Sequence, residues 1–235
     1  QGAIDGAVSI FGGGLLSGSG VVQGLAVNNG GVLAPGPGLQ TLTVNGGVAF
    51  YAGSIYRVDI DEAGVSDRVN ASGAITINGG IVDIRRASDS YGLSTTYTIL
   101  TGSNISGGFD EVVSDFAFLS PTLAYNPTTV DLHLDRNNVR FQDVALTGND
   151  RRTAAAVENL GTASTLYRAI LPLDVGTAES AFAQLNGEVH ASLKSSLLSD
   201  SSLVREAILD QGNGPMRKQP ESSGDASFWT TGMVA

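Results

Sequence analysis

The chain has no cysteine, only two histidines and no apolar stretch approaching the roughly 20 residues of a membrane helix. Disulfides therefore cannot stabilise the fold, and the shortage of cysteine and histidine disfavours metal sites. Basic residues are also scarce, since 13 Lys and Arg face 23 Asp and Glu and give a net charge of −10. Such a surface repels phosphate groups, which argues against binding to nucleic acid or to anionic lipid.

Charge is missing altogether from Gly6 to Tyr56. Disordered segments usually combine high charge with few β-branched residues, and this stretch has the opposite composition. Stacked strands need no charge, so the composition favours ordered β-structure over the alternative of a glycine-rich linker.

Glycine is abundant, at 31 of 235 residues, and it recurs in a phrase in which Gly-Gly separates short β-branched strands. The phrase stands at 27–32, 44–48 and 77–81, with a looser version at 11–15. The first two copies are 16 residues apart and the next interval is 33, about twice that. A short strand-turn-strand period is typical of stacked rungs that bury their apolar faces against their neighbours, so the pattern predicts a β-solenoid.

Alternation of apolar and polar residues predicts strands as far as about residue 137, as in 56–61 and 130–135. The spacing changes from about residue 97, which predicts hairpins that cap the end of the solenoid. A cap is physically required because an open solenoid end exposes unpaired backbone groups.

Helical periodicity replaces the strand pattern after about residue 149. Apolar residues within 178–197 recur at spacings of three and four, which predicts one amphipathic helix packed against a neighbouring helix or the solenoid wall. Residues 211–227 have no face to bury and indicate a flexible linker. Phe228 and Trp229 then open a short β segment of the kind found at the interface girdle of a membrane barrel.

In this order the parts resemble the end of the passenger of a monomeric (type Va) autotransporter of Gram-negative bacteria. The segments similar to that family's passenger-associated transport repeat are 31–36, 42–46, 53–60 and 66–69. The run at 97–109 is similar to the segment that closes this region, and 185–192 is similar to a phrase that precedes the translocator barrel. The resemblance implies a mainly β protein, a right-handed parallel β-helix (β-solenoid) with a hairpin-like C-terminal cap, followed by an α-helical junction.

The resemblance also implies a division of the chain, and Gln1 does not open a signal peptide, so we expect a piece of something longer. The expected parts are the end of the passenger β-helix (1–30), the autochaperone and cap (31–140), the α-helical junction (149–210), the linker (211–227) and the truncated first barrel strand (228–235). Candidates for the folding core are Leu42, Val44, Val58, Ile60, Ile75, Ile77, Ile99 and Phe109. The junction helix is marked by Leu185, Gly187, Glu188 and His190, and the barrel start by the aromatic residues Phe228 and Trp229.

The function that this interpretation implies is a non-enzymatic segment that promotes folding and secretion of the passenger across the outer membrane. Its expected partners are its own translocator barrel and the upstream passenger, and its expected location is the outer membrane and cell surface. The isolated fragment is also expected to be able to self-associate through an uncapped first rung. The activity of the upstream passenger, including any role in virulence, is not encoded in these residues.

Two alternatives stay open. The solenoid wall could be an adhesin surface for host glycan or protein, although Tyr51, Tyr56 and Tyr91 form no evident aromatic platform in the sequence. A polysaccharide-active enzyme could instead use a group of carboxylates, some binding calcium. That group is Asp59, Asp61, Glu62 and Asp67, of which Asp67 is expected to form a loop ion pair with Arg68.

The histidines give little support to catalysis. His133 alternates outward with two aspartates on a predicted strand, which indicates a solvated residue. His190 stands between Glu188 and Ser192, but residues two apart on a helix point about 200° away from each other. No Gly-x-Ser-x-Gly nucleophile motif occurs either. We therefore predict no catalytic residue, no metal ligand and no cofactor.

Overall fold

The computed structural model describes residues 2–187 and Arg205. The chain divides into two compact units, Gln1–Gly187 and Glu188–Ala235, and the described residues other than Arg205 belong to the first. The strands are β1 Ala3–Ile10, β2 Leu15–Ser17, β3 Val21–Val27, β4 Val32–Ala34, β5 Thr41–Val44, β6 Val48–Tyr51, β7 Ile55–Ile60, β8 Arg68–Ala71, β9 Ile75–Asn78, β10 Ile81–Arg86, β11 Ser94–Thr101, β12 Ile105–Gly108, β13 Glu111–Ser114, β14 Leu119–Tyr125 and β15 Thr129–Arg136. A 3-10 turn follows at Phe141–Asp143, and the helices are α1 Gly148–Asn159, α2 Thr165–Ile170 and α3 Val175–Leu185.

The strands form two sheets. The first sheet has the order β12-β9-β6-β3-β5-β8-β11-β15-β14, with β1 also paired to β3, and the second has the order β13-β10-β7-β4-β2. All named strand pairs are parallel except β11–β15 and β14–β15. The fold is therefore a parallel β-solenoid of about four turns that ends in an antiparallel hairpin, which confirms the predicted fold class.

The rungs lengthen along the chain, so the intervals between the Gly-Gly phrases do not give the length of a rung. In the second sheet, Leu16, Leu33, Tyr56, Val82 and Val112 occupy equivalent positions on successive strands. Their separations in sequence are 17, 23, 26 and 30 residues. The additional residues lie in loops between the strands, so they change the sequence period without disturbing the pairing between rungs.

The three Gly-Gly phrases also occupy two different places. The phrases at 30–31 and 79–80 turn the chain from the first sheet to the second, whereas 46–47 joins β5 to β6 within the first sheet. At the bend between β5 and β6 the backbones of neighbouring rungs approach closely, since a Cβ on Gly46 would lie 2.1 Å from the Gln23 carbonyl oxygen. At the other two phrases Gly30 and Gly79 adopt positive φ angles of +72° and +101°. Glycine is therefore required at the two places for different steric reasons.

The helices begin and end where local capping predicts. The Thr147 hydroxyl accepts the N–H of Asp150 and the Asp150 carboxylate accepts the N–H of Thr147, so α1 begins with a capping box. After α1, Gly161 adopts a φ of +71°, the left-handed conformation in which glycine commonly ends a helix. Among the described helices, none is long and apolar enough to cross a membrane.

The prediction of one uninterrupted helix within 178–197 is wrong at 186–187, and residues 188–197 lie outside the described part of the chain. The helix α3 ends at Leu185, Asn186 forms its C-cap, and Gly187 adopts a φ of +74°. A glycine in the left-handed conformation commonly ends a helix. The sequence pattern gave no sign of this end, because apolar residues recur at the same spacing after Gly187. The expectation that this helix packs against a neighbour is confirmed, since Phe182 of α3 is buried and its ring centroid lies 6.2 Å from that of Phe141.

Candidate functional site: the capped end of the solenoid

The cap consists of β11, β14 and β15, and its apolar face closes the solenoid core. Tyr97 of β11 lies opposite Leu132 of β15, which in turn lies opposite Leu123 of β14. The inward residues Val130, Leu132 and Leu134 are fully buried. The hairpin therefore covers the edge strand of the last rung with hydrogen-bonded antiparallel strands, which removes an open edge.

The structure buries most of the predicted folding-core residues. Those with almost no exposed surface are Leu42, Val44, Val58, Ile60, Ile75, Ile77 and Ile99. Phe109 is only partly buried, and its ring packs against Phe50 and Tyr56 at centroid distances of 5.1 and 6.4 Å. Their burial is a fact of the fold, whereas their role in directing folding stays a prediction.

Three buried tyrosines tie the rungs to one another and to the cap. The Tyr56 hydroxyl donates to the Ile99 carbonyl at 2.8 Å, and the Tyr97 hydroxyl donates to the Asp61 carbonyl at 2.6 Å. The Tyr91 hydroxyl donates to a third carbonyl, also at 2.6 Å. Burial raises the pKa of all three phenols, so they stay protonated donors. Tyr56 and Tyr91 consequently take no part in a surface platform.

Asp67 is a buried carboxylate whose position the sequence did not reveal. Its Oδ1 accepts the Gln40 N–H at 2.8 Å and its Oδ2 accepts the Asp59 N–H at 3.2 Å. The predicted ion pair with Arg68 is wrong, because the Arg68 Nε donates to the Thr98 carbonyl instead. Burial raises the pKa of Asp67 to about 6, although the two N–H groups lower it, and the charge of Asp59 raises it further.

The carboxylates considered for catalysis do not converge on one point. Asp67 faces inward, while Asp61 accepts the N–H groups of Ala63 and Val65 in its own loop. A hydrogen bond from Ser88 lowers the pKa of Glu62, which is fully exposed. Across residues 2–187, no group of three or more His, Asp or Glu is arranged to hold a metal ion.

The outer face of the cap carries paired polar side chains. The Thr96 hydroxyl and the His133 Nδ1 are 2.9 Å apart, and on either side Thr98 donates to Asp131 and Ser94 donates to Asp135. His133 therefore lies on the solvent side, as its alternation predicted. Cross-strand pairs of this kind stabilise a hairpin by fractions of a kcal/mol each, on the order of 0.2–1.

Arg136 joins the hairpin to the helical segment, which the sequence did not predict. Its guanidinium lies over the adjacent rings of Phe118 and Phe141, 5.5 and 5.4 Å from their centroids. One terminal nitrogen donates to the Phe118 carbonyl and to Asn137, and the other donates to Glu158 of α1 at 3.1 Å. Planar stacking together with several fixed donors is a task that arginine performs and lysine does not.

The remaining predicted positions lie mostly outside the described residues. Leu185 is exposed at the end of α3, and Gly187 forms the turn after it. Glu188, His190, Phe228 and Trp229 are not among the described residues. The proposed division into five parts stays a prediction, and the stacked rungs continue without interruption across residue 30.

No protein-family model matches the chain. The chain is 34% identical over 172 residues to an extracellular serine protease of Serratia marcescens, in an alignment that covers 67% of this chain and 16% of that protein. Another extracellular serine protease of the same organism is 24% identical over 249 residues, covering 83% of this chain and 24% of that protein. The chain thus spans less than a quarter of the length of either relative. Together with the parallel β-solenoid, these similarities are consistent with a secreted passenger region of the autotransporter type.

Proposed function

We propose that the chain is the C-terminal passenger region of an autotransporter and that its capped end acts as an autochaperone. The carrying observation is the closure of one end of the solenoid. At the cap, β15 and β14 close the sheet edge beyond β11. The stack can therefore accept further rungs only on the side of β1, which we name the open end.

The energetics of stacking favour such directional folding. A fully buried aliphatic side chain contributes about 1.5–3 kcal/mol. Ordering the backbone costs about 1–2 kcal/mol per residue, so a lone rung of 17 to 30 residues is not stable by itself. A rung added to an existing stack gains the interface as well, which is the cooperative term of a solenoid.

The cap has the contacts that a template needs. Its β11 strand, in the first sheet, supplies the carbonyl that the Tyr56 hydroxyl reaches from β7 in the second sheet. Its Tyr97 hydroxyl binds the loop that follows β7. These bonds connect residues that are 43 and 36 positions apart, so the cap and the two rungs before it form one cooperative unit.

Secretion follows from the same asymmetry. Folding of the segment that emerges first can bias outward movement where no ATP is present, so the proposed partners are the chain's own translocator barrel and the upstream passenger, at the cell surface. The relatives are named as proteases, but this chain covers only 16% and 24% of them. We propose that this region contributes folding and not catalysis. In support, the Nδ1 atom of His133 lies next to the Thr96 hydroxyl. In a catalytic triad a carboxylate occupies that position and orients the imidazole.

Kinetic analysis of two matched core variants tests the template. Leu132→Ala removes a buried side chain from the cap, and Leu33→Ala removes one from the open half of the solenoid. Each is expected to destabilise the chain by about 2–5 kcal/mol. If the cap forms first, Leu132→Ala slows refolding, whereas Leu33→Ala leaves the refolding rate unchanged and accelerates unfolding.

The measurement is stopped-flow refolding and unfolding of the full chain over a range of urea concentrations. The reverse pattern, with Leu33→Ala slowing refolding and Leu132→Ala acting on unfolding, would show that folding starts at the open end. That result would contradict the autochaperone role and leave the region as ordinary passenger.

A further inference from the structure

One corner of the solenoid carries exposed aromatic rings at every second rung. The pairing places Ile10, Val27, Phe50, Ile77 and Gly107 at equivalent positions on five successive strands. The residues that directly follow them form what we name the corner column, and these are Phe11, Asn28, Tyr51, Asn78 and Gly108. The last position has no side chain of its own, but the Tyr125 ring lies over it, with Cζ 3.5 Å from where a Cβ on Gly108 would stand.

The concentration of aromatic surface in this column is not a general feature of the molecule. Phe11 is 67% exposed, Tyr51 43% and Tyr125 41%. Every other aromatic residue within 2–187 is buried or partly buried. The Tyr125 ring is also fixed in place, because its hydroxyl accepts the Phe109 N–H at 2.9 Å. All exposed aromatic rings of the described unit therefore stand in one row.

The row borders a flat and uncharged strip of the first sheet. The outward residues two positions before the column are small, namely Ser9, Ala26, Ala49, Thr76 and Ser106. No acidic or basic residue occurs from Gly6 to Tyr56, and none occurs in β9 or β12. A ligand can lie along this strip without meeting a bulky side chain or a charge on it, because the Asp110 carboxylate lies on the far side of the column and accepts the Gly80 N–H at 2.8 Å.

The spacing of the rings suits a repeating ligand. Neighbouring strands are about 4.8 Å apart, so rings at every second rung are separated by roughly 9.6 Å. In an extended β-1,4-linked glycan successive sugars are turned over, and every second ring presents the same face at a comparable repeat. The C–H groups of that face pack on the negative face of an aromatic ring. Between the rings, the exposed Asn78 amide can bond hydroxyl groups, whereas the Asn28 amide nitrogen donates to the Ile10 carbonyl at 3.1 Å.

We propose that the corner column is a binding site for an extended, neutral β-1,4-linked glycan, with Phe11, Tyr51 and Tyr125 each stacking on alternate sugars. The proposal does not depend on the autochaperone role. It differs from a general adhesin wall because it assigns one row of residues and one ligand geometry.

Isothermal titration of the full chain with cellohexaose and with chitohexaose tests the site, with the corresponding disaccharides as short probes. A hexasaccharide reaches all three rings and a disaccharide reaches one, so at least one hexasaccharide is expected to bind ten-fold or more tightly than its disaccharide. Tyr51→Ala removes the central ring and is expected to weaken binding about ten-fold. Tyr51→Phe keeps the ring and is expected to bind as the wild type does.

The control variant is Leu146→Ala, which shortens an exposed apolar side chain that is far along the chain from the column. It should leave the affinity unchanged, and circular dichroism should show the same fold for all variants. The proposal is overturned if neither hexasaccharide binds at millimolar concentration, or if affinity is independent of glycan length. It is also overturned if sedimentation shows self-association that Tyr51→Ala abolishes, because the column is then an interface with a second copy.

Discussion

Replacement of Asp67 by Asn should remove a pH dependence of stability that the buried carboxyl creates. Its side chain is only 1% exposed and holds the loop before β5 against β7 through the N–H groups of Gln40 and Asp59. The folded-state pKa of about 6 lies above the ordinary value of 3.8, so the folded chain holds this proton more tightly than the unfolded chain does. The stabilising contribution of this group is therefore complete below about pH 4 and is lost as the pH rises through 6.

The magnitude follows from the size of the shift. A shift of about two pKa units corresponds to about 3 kcal/mol at most, since each unit is worth about 1.4 kcal/mol. Solvent that reaches the half-buried neighbour Asp59 screens part of this, so we expect a loss of about 1–2 kcal/mol between pH 4 and pH 7. Burial also raises the pKa of Asp59, which adds a change of the same sign.

Urea unfolding of wild type and Asp67→Asn at half-unit steps from pH 4 to pH 8 isolates the effect. Other carboxyls titrate in both proteins, so the difference in unfolding free energy between the two reports Asp67. The unfolding free energy of the wild type minus that of the variant should fall as the pH rises to 7 and then stay constant. Asp89→Asn, which removes an exposed carboxyl in the loop between β10 and β11, controls for the loss of one negative charge.

A difference that rises with pH would refute the reasoning. It would mean that the two N–H groups stabilise the carboxylate by more than burial penalises it, so that the folded-state pKa is lowered. A flat difference would equally contradict the burial argument, because it would place the side chain in contact with water.

Two further substitutions test the proposed role and the link to the helices. In a full-length passenger, Ile77→Asp places a charge in the solenoid core and should abolish surface display, which flow cytometry measures. The control Thr76→Asp, on the outer face of the same strand, should be displayed normally. Normal display of both variants would contradict the need for a folded template. Arg136→Lys retains the charge but loses the stacked, multiply bonded guanidinium, and should lower the unfolding free energy by about 1–3 kcal/mol in urea. A loss below about 0.5 kcal/mol would show that this contact does not stabilise the junction.

The sequence predicted strands well because their signal is local. Alternation at 56–61 and 130–135 fixes which residues face the core, and Val58, Ile60, Val130, Leu132 and Leu134 are indeed buried. The capping box at Thr147 depends on contacts that are equally local, since a capping residue bonds groups within three positions of itself. The rung length was not readable, because loop insertions lengthen the interval between equivalent positions while leaving the pairing intact.

Side-chain partners across rungs were not accessible from sequence. Asp67 gave no sign of burial, because the N–H groups that surround it come from residues 27 and 8 positions away. Arg136 gave none either, since its partners lie just before β14, on a 3-10 turn and on a helix that only the closed fold brings together. The helix stop at Gly187 was missed because apolar spacing carries no information on backbone handedness.

By itself, then, the sequence determined the solenoid class, the capped end, the helical segment and the resemblance to an autotransporter passenger, all of which depend on local pattern and order along the chain. Only the tertiary structure decided the register of the rungs. That register brings Phe11, Tyr51 and Tyr125 into one row, although they are separated by 40 and 74 residues of sequence. The physical reason is that parallel pairing is set by contacts between rungs, and the varying length of each rung hides those contacts from any periodic pattern in the chain.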